Sequence, residues 1–221
     1  MIISNLKTHV LDSLGAVCRA SELCEFASSL STGDLALCGE LCVSGYERLG
    51  ERFWLDLDAN LAQSLQSGAY LGYSCEFNGY NEFRLLSANG VEFRQRKYKL
   101  FKPNGEDKIF KSGNLDEIAL HQIDGVKVGV LICFELRFIE LWSRLKSADI
   151  ILVPAMWGKG RKEHYEILCR ALALQNRCYT LACSDMDLKF STVFAPDGSR
   201  AEVAKFDINL IKKFRKWIDD E

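Results

Sequence analysis

The sequence contains few of the residues that mark several common classes of protein. It has only three histidines, and none of its nine cysteines forms a Cys-x-x-Cys pair, so clustered zinc ligands are missing. An odd number of cysteines, without the N-terminal pattern of a secretion signal, does not suit a disulfide framework. No apolar run approaches the roughly 18–20 residues that cross a bilayer. We therefore expect no metal site, no disulfide scaffold and no membrane span.

An excess of charge of either sign is also missing. The chain has 28 basic and 30 acidic residues, a formal net charge of −2, and basic residues that are dispersed apart from a short cluster at 212–216. This distribution does not predict a nucleic-acid groove or a membrane surface. The composition therefore predicts a cytoplasmic protein that binds neither nucleic acid nor membrane.

Apolar residues make up 48% of the 221 residues, which is ample for a packed core. Strand-like and helix-like segments alternate without repeats or linkers, and this favours a layered α/β fold. We expect residues 1–221 to form a single domain. The predicted strands are residues 2–6, 35–38, 70–77, 82–87, 91–97, 117–123, 127–132, 150–153, 178–183, 192–195 and 200–205. The predicted helices are residues 21–30, 56–66, 137–146, 162–176 and 208–218, and residues 102–114 are predicted to form a loop.

The most informative segment is residues 128–138, which reads VGVLICFELRF. Its continuous apolar run is typical of a strand buried on both faces of a sheet, and Cys133 follows that run directly. Chemistry in layered α/β folds gathers where such strands end. Cys133 is therefore a candidate nucleophile, and packing as a small buried apolar residue is the alternative.

A catalytic cysteine needs a base, and the sequence offers two kinds. His164 could be brought near Cys133 by the fold, which leaves a papain-like pair open. Glu40 directly follows the predicted strand 35–38, where poor solvation would raise its pKa towards that of a general base. Lys97 ends another predicted strand and could place a positive charge at the same edge of the sheet.

Three segments carry a resemblance to a known family. CGELCVSGY around Glu40, RKYKLFKPNGED around Lys97 and GVLICFELRFIE around Cys133 resemble the three motif blocks of the nitrilase superfamily, the carbon–nitrogen hydrolases. A second glutamate, which follows the lysine in that family, falls on Glu106. The resemblance extends over essentially the whole chain, and residues 97–114 are most similar to the omega-amidase-like branch.

The resemblance implies a four-layer α-β-β-α sandwich that hydrolyses a small amide through a cysteine thioester. Glu40 would take the Cys133 proton and later pass it to the leaving ammonia or amine. Lys97 and the backbone N–H of Phe134 would stabilise the tetrahedral oxyanion, and Glu106 would keep Lys97 charged. Water would then release the acid, so the reaction requires no metal or organic cofactor. The resemblance also implies a homodimer formed through the helices after Cys133 and at residues 162–176.

The matched loops also suggest where a substrate would bind. Their large side chains are candidate substrate-binding residues, although each could equally pack in the core: Tyr46, Phe134, Met156 and Trp157. Arg161 and Lys159 could bind a substrate carboxylate or simply remain solvated.

Departures from the family pattern leave the substrate open. Phe134-Glu135 stands in place of the usual Tyr-Asp pair, Ile139 replaces a proline, and Gln175 stands where a glutamate is common. Hydrolysis of N-carbamoyl amides or nitriles by the same site is the alternative activity. A non-catalytic protein that binds a partner and a redox-sensing cysteine protein are alternatives from other classes.

Overall fold

Strands that are apolar on both faces require covering layers on both sides, and the structure provides them. The computed structural model describes residues 3–185 and 187–219, with the backbone alone for residues 218–219. Two six-stranded sheets stack on each other, and helices cover their outer faces. In the strand Asp34–Cys38, Leu35 and Leu37 pack between the sheets, whereas Ala36 and Cys38 pack against the helical layer. The expected α/β sandwich of four layers, α-β-β-α, is confirmed.

The first sheet has the order β12-β1-β2-β3-β4-β5. Its strands are β1 (Asn5–His9), β2 (Asp34–Cys38), β3 (Tyr70–Phe77), β4 (Tyr80–Ser87), β5 (Gly90–Arg96) and β12 (Val203–Lys205). The central strands β1, β2 and β3 are parallel, and the remaining pairs are antiparallel.

The second sheet has the order β11-β10-β9-β8-β7-β6. Its strands are β6 (His121–Ile123), β7 (Val126–Val130), β8 (Ile150–Ala155), β9 (Tyr179–Ser184), β10 (Phe190–Phe194) and β11 (Arg200–Ala201). Here β7, β8 and β9 are parallel. Each sheet therefore has a parallel centre, so chemistry is expected at the carboxyl ends of its strands.

The helices are α1 (Ala16–Ser29), α2 (Glu51–Ser64), α3 (Glu106–Ile109), α4 (Ile139–Arg144), α5 (Lys162–Asn176) and α6 (Ile208–Asp219). Short 3-10 helices span Lys102–Asn104, Leu115–Glu117, Cys133–Arg137 and Lys159–Arg161. Within the described residues, no helix has the length and apolarity to cross a membrane.

Several predicted boundaries were wrong because pairing partners decide where a strand ends. The first strand runs along β2 from Asn5 to His9 rather than over residues 2–6, and residue 2 lies outside the described residues. The predicted strand 200–205 is two strands: β11 pairs with β10, and β12 crosses to β1 of the other sheet. The strand that we expected to stop at residue 153 continues through Pro154 to Ala155 along β9.

Two predictions for segments near the site also need correction. The predicted loop 102–114 contains the 3-10 helix Lys102–Asn104 and α3. The predicted helix 137–146 is in fact the 3-10 helix Cys133–Arg137 followed by α4. The 3-10 helix therefore begins at Cys133 itself.

Candidate active site

Glu40 reaches the interior because a glycine precedes it. A Cβ atom on Gly39 would lie 2.8 Å from the Cβ of Asp185 and 2.9 Å from its backbone nitrogen, so only glycine fits between β2 and the end of β9. The backbone N–H of Glu40 donates to the carbonyl of Ala155 at 3.1 Å. This bond ties the end of β2 to the end of β8, and the two sheets meet at Glu40.

Lys97 lies at the centre of a buried ionic cluster. Its side chain, 1% exposed, places Nζ 2.7 Å from Oε1 of Glu40 and 2.8 Å from each carboxylate oxygen of Glu106. Burial alone would lower the pKa of Lys97, but the neighbouring negative charges, Glu40 foremost, outweigh burial and raise the pKa above its usual value. Lys97 is therefore an ammonium held between two carboxylates.

Glu106 is the first residue of α3 and is fully buried. Gly105 precedes it in the left-handed conformation, with φ of 79°, which turns the chain inward. The Glu106 carboxylate also accepts a hydrogen bond from the Phe101 N–H at 2.5 Å. These contacts orient Glu106 towards Lys97.

Asn81 is a member of the site that the sequence analysis missed. Its amide nitrogen donates to Oε1 of Glu40 at 2.8 Å and to Oε1 of Glu106 at 3.2 Å, so one side chain bridges both carboxylates. Its backbone carbonyl accepts from the Lys97 N–H at 2.8 Å. The feature that could have indicated Asn81 is its position: it is an asparagine at the start of β4, a strand that is otherwise buried.

Cys133 begins its 3-10 helix with a φ of 51°. This left-handed backbone is uncommon for a residue other than glycine and typically costs about 1–3 kcal/mol, so such residues concentrate at functional sites. Burial foremost, and then the charge of Glu40, raise the pKa of the Cys133 thiol well above its usual value. The Cys133 thiol is therefore neutral in the resting site, and it lines the same cavity as Glu40.

Glu135, the residue that departs from the family pattern, connects two loops of the site. It is fully buried, and its carboxylate accepts from the N–H of Ile132 at 2.7 Å, of Tyr98 at 2.6 Å and of Lys99 at 3.4 Å. Burial raises the pKa of Glu135 to about 7, against the effect of these donors. The Glu135 side chain thus joins the segment before Cys133 to the segment after Lys97.

The charged residues and the candidate substrate-binding residues line one cavity of about 160 Å³. Its walls include Glu40, Lys97, Glu106, Cys133, Tyr46, Phe134, Met156 and Trp157. Tyr46 accepts a hydrogen bond from Asn104 at 2.9 Å, and burial foremost raises the pKa of Tyr46 to about 12. The structure therefore brings all eight predicted site residues together.

Two arginines complete the cavity. Arg161 lines it as the sequence suggested, and Arg137, which the sequence analysis did not select, lies beside it. Their guanidinium groups lie over aromatic rings, Arg137 at 4.9 Å from the centre of Trp157 and Arg161 at 5.1 Å from Phe101. Lys159 is exposed and is not part of the wall.

The alternative base and a metal centre find no support in this arrangement. His164 is exposed, and its Nδ1 lies 3.3 Å from the Arg137 guanidinium rather than beside Cys133. Within residues 3–185 and 187–219, no group of three or more His, Cys, Asp or Glu side chains is arranged to hold a metal ion.

Comparison with known proteins assigns the chain to a family. The sequence profile of the carbon-nitrogen hydrolases matches residues 34–208, which contain all three motif segments. The chain belongs to the carbon–nitrogen hydrolase family. The chain is 31% identical over 166 residues to a protein of Pseudomonas protegens named as the hydrolase in the pqqF 5′ region, and the match covers 69% of this chain and 58% of that protein.

A second curated relative and a solved structure are also similar to this chain. The omega-amidase YafV of Escherichia coli K12 is 30% identical over 132 residues, which cover 59% of this chain and 50% of that protein. The chain therefore spans little more than half the length of these curated relatives. The chain also superposes on the crystal structure of XC1258 from Xanthomonas campestris, which is described as a CN-hydrolase superfamily protein. The TM-score is 0.81 at 18% sequence identity, and the match covers 99% of this chain and 96% of that one. This likeness shows the nitrilase-type fold.

The contacts of Glu135 lead to a prediction about pH. An unfolded glutamate releases its proton near pH 4.5, whereas folded Glu135 keeps it up to about pH 7. Between these values the folded state binds more protons, so the contribution of Glu135 to stability falls as pH rises. In Glu135→Gln, the free energy of unfolding, measured in urea, should fall less from about pH 4.5 to about pH 7 than in the wild type.

The same variant should also lose activity. The glutamine amide has a single oxygen to accept hydrogen bonds from the backbone N–H groups of the two loops, and its NH₂ group would face one of these donors. We expect kcat to fall at least about tenfold. Glu140→Gln, a matched change at an exposed glutamate in α4, should alter neither quantity. An unchanged pH slope in Glu135→Gln would contradict this account.

Proposed function

We propose that this protein hydrolyses the C–N bond of small amides, with Cys133 as the nucleophile of a thioester mechanism. One observation carries the proposal: a thiol, an ammonium and a carboxylate from three separate strand ends line the same small cavity. The match to the carbon–nitrogen hydrolases and the similarity to an omega-amidase support it. Water is the second reactant, and the proposed chemistry requires no metal or organic cofactor.

In the first half of the reaction, Glu40 removes the thiol proton as Cys133 attacks the amide carbonyl. The oxyanion that forms is stabilised by the Lys97 ammonium and by the backbone N–H of Phe134. This N–H lies in the first turn of the 3-10 helix Cys133–Arg137, where backbone donors have no partner inside the helix. One such donor typically contributes about 3 kcal/mol to the transition state, a hundredfold or more in rate.

In the second half, protonated Glu40 gives its proton to the leaving nitrogen, and the C–N bond breaks to leave a thioester. Glu40 then takes a proton from water as the water oxygen attacks the thioester, and this proton passes to the Cys133 sulfur as the C–S bond breaks and the acid leaves. Glu106 keeps Lys97 charged throughout, because it binds the ammonium through both oxygens.

The walls of the cavity favour a short acyl group that ends in a carboxylate. Tyr46, Phe134 and Trp157 would contact its methylene groups, together with Met156. Arg161 and Arg137 supply fixed positive charge at the same cavity, and guanidinium groups bind carboxylates through paired hydrogen bonds. An omega-amide of a dicarboxylic acid has both the amide and the carboxylate that this arrangement would recognise.

A non-catalytic role is not favoured by the buried charges. Holding an ammonium and two carboxylates out of water costs several kcal/mol per ion before their attraction is counted, and partner binding would not require it. N-carbamoyl amides and nitriles would use the same side chains, and no observation favours them.

The proposed assembly is a homodimer of single-domain chains in the cytoplasm. The outer faces of α4 and α5 expose Ile139, Ile167 and Leu174, which are 68%, 62% and 44% accessible. Apolar side chains exposed together on one face are typical of an interface between subunits. All nine cysteines carry free thiols, which persist in reducing compartments.

The first test of the function replaces the nucleophile. Cys133→Ala should abolish ammonia release from an amide panel, because no thioester can form, and it should remove the acyl adduct from the intact mass. Cys169→Ala, a matched change at a buried thiol outside the cavity, should keep activity within about tenfold of wild type. Turnover that survives in Cys133→Ala would end the proposal.

The second test concerns the carboxylate. Wild type should show a kcat/KM at least about tenfold higher for omega-monoamides of dicarboxylic acids than for amides of equal length without the carboxylate. Arg161→Gln should lower this preference, and Lys159→Gln, on the same loop but outside the wall, should keep it. Equal rates for both kinds of amide in the wild type would contradict a carboxylate-binding arginine.

A further inference from the structure

A second cavity adjoins the first and is not used by the mechanism above. It shares Glu40, Tyr46 and Met156 with the first cavity, and its volume is about 320 Å³ against about 160 Å³. Its other walls come from the start of α1, including Ala16, and from the loop after Glu40, including Ser44. Glu40 therefore lies at the boundary between two spaces.

The hydrogen bonds of Glu40 identify the oxygen that exchanges protons. Oε1 accepts from Lys97 at 2.7 Å and from Asn81 at 2.8 Å, so both of its lone pairs are engaged. Oε2 accepts only the backbone N–H of Met156 among the contacts with measured distances, at 3.0 Å, and keeps a lone pair for a proton. The leaving nitrogen must reach Oε2, and it would therefore lie beside Met156, which lines both cavities.

The shape of an amide decides where a substituent on that nitrogen would go. The amide is planar, and a trans substituent on nitrogen points away from the acyl chain. In the proposed function the acyl chain would extend towards Arg161 and Trp157, which line the first, smaller cavity. We propose that the second cavity is the subsite for the leaving amine, so that the enzyme cleaves N-substituted amides as well as primary ones. This inference rests on the proposed function.

The charges around the second cavity indicate which amines it would accept. Arg19 is its one basic wall residue among those described, and its Nη1 already donates to Asp185 at 2.9 Å and to the carbonyl of Cys42. Glu40 and the exposed Glu47 add negative charge to the same walls. A carboxylate on the leaving amine would meet this negative charge without a free cation, so the subsite suits small amines that carry no carboxylate.

The test compares leaving groups on one acyl group. A panel of dicarboxylic acid monoamides first identifies the acyl group that wild type hydrolyses fastest, and its N-ethyl and N-carboxymethyl derivatives are then assayed. We expect measurable hydrolysis of the N-ethyl amide and a kcat/KM at least about tenfold lower for the N-carboxymethyl amide. If the primary amide is hydrolysed and the N-ethyl amide is not, the subsite is wrong while the proposed function stands. If no monoamide is hydrolysed, the proposed acyl group and the subsite both fail, whereas the proposed function fails only if the whole amide panel is inert.

Variants that fill the second cavity make the test specific. In Ala16→Leu and, independently, Ser44→Leu, the ratio of kcat/KM for the N-ethyl amide to that for the primary amide should fall at least about tenfold. Leucine is a good helix former, so Ala16→Leu retains the start of α1. Val17→Phe on the same helix, where Val17 is 76% exposed and outside both cavities, should leave the ratio unchanged. A ratio that both filled variants leave unchanged would overturn the proposal.

Discussion

The site depends on one buried ammonium. Lys97 bridges Glu40 and Glu106 at 2.7–2.8 Å with almost no access to water. Removing one partner of such a buried pair typically lowers the free energy of unfolding by about 3–5 kcal/mol, because it leaves a buried charge without an opposite charge beside it. Glu40 and Glu106 hold the ammonium in its ionised form, whereas burial foremost, and then the charge of Glu40, raise the pKa of the Cys133 thiol. The proposed reactivity of the sulfur is therefore set by Lys97 and its two carboxylates as much as by the cysteine itself.

The backbone brings these charges together through a few constrained positions. Gly39 allows β2 to pass against Asp185, Gly105 turns Glu106 inward, and Cys133 adopts a left-handed conformation at the end of β7. Glu135 then ties the loop before Cys133 to the loop after Lys97. The fold supplies strand ends from both sheets at one point, and these local features aim the side chains at one another.

Much of this arrangement could be predicted from the sequence. Helix α5 and strand β3 have the predicted bounds, because each carries its apolar pattern within one continuous segment. Glu40, Lys97 and Cys133 could be selected because each lies at or near the end of a predicted strand, and Glu106 through the resemblance to the nitrilase superfamily. All four line the cavity, although their roles in catalysis stay predictions.

What could not be predicted depends on contacts between distant segments. Asn81 looks like any polar residue in a strand until Glu40 and Glu106 approach it from other elements. The division of residues 200–205 between two sheets is decided by pairing with β1 and β10, and the local sequence does not indicate it. The second cavity likewise arises only where α1 meets the loop after Glu40.

The ionisation state of the Lys97 side chain can be measured by NMR. The Nζ chemical shift of ¹⁵N-lysine-labelled protein, assigned with Lys97→Arg, can be followed from about pH 6 to about pH 10. We expect an ammonium shift throughout, because Glu40 and Glu106 outweigh the effect of burial. A change to the amine form near neutral pH, as burial without compensation would produce, would contradict it, since a neutral amine cannot stabilise an oxyanion by its charge.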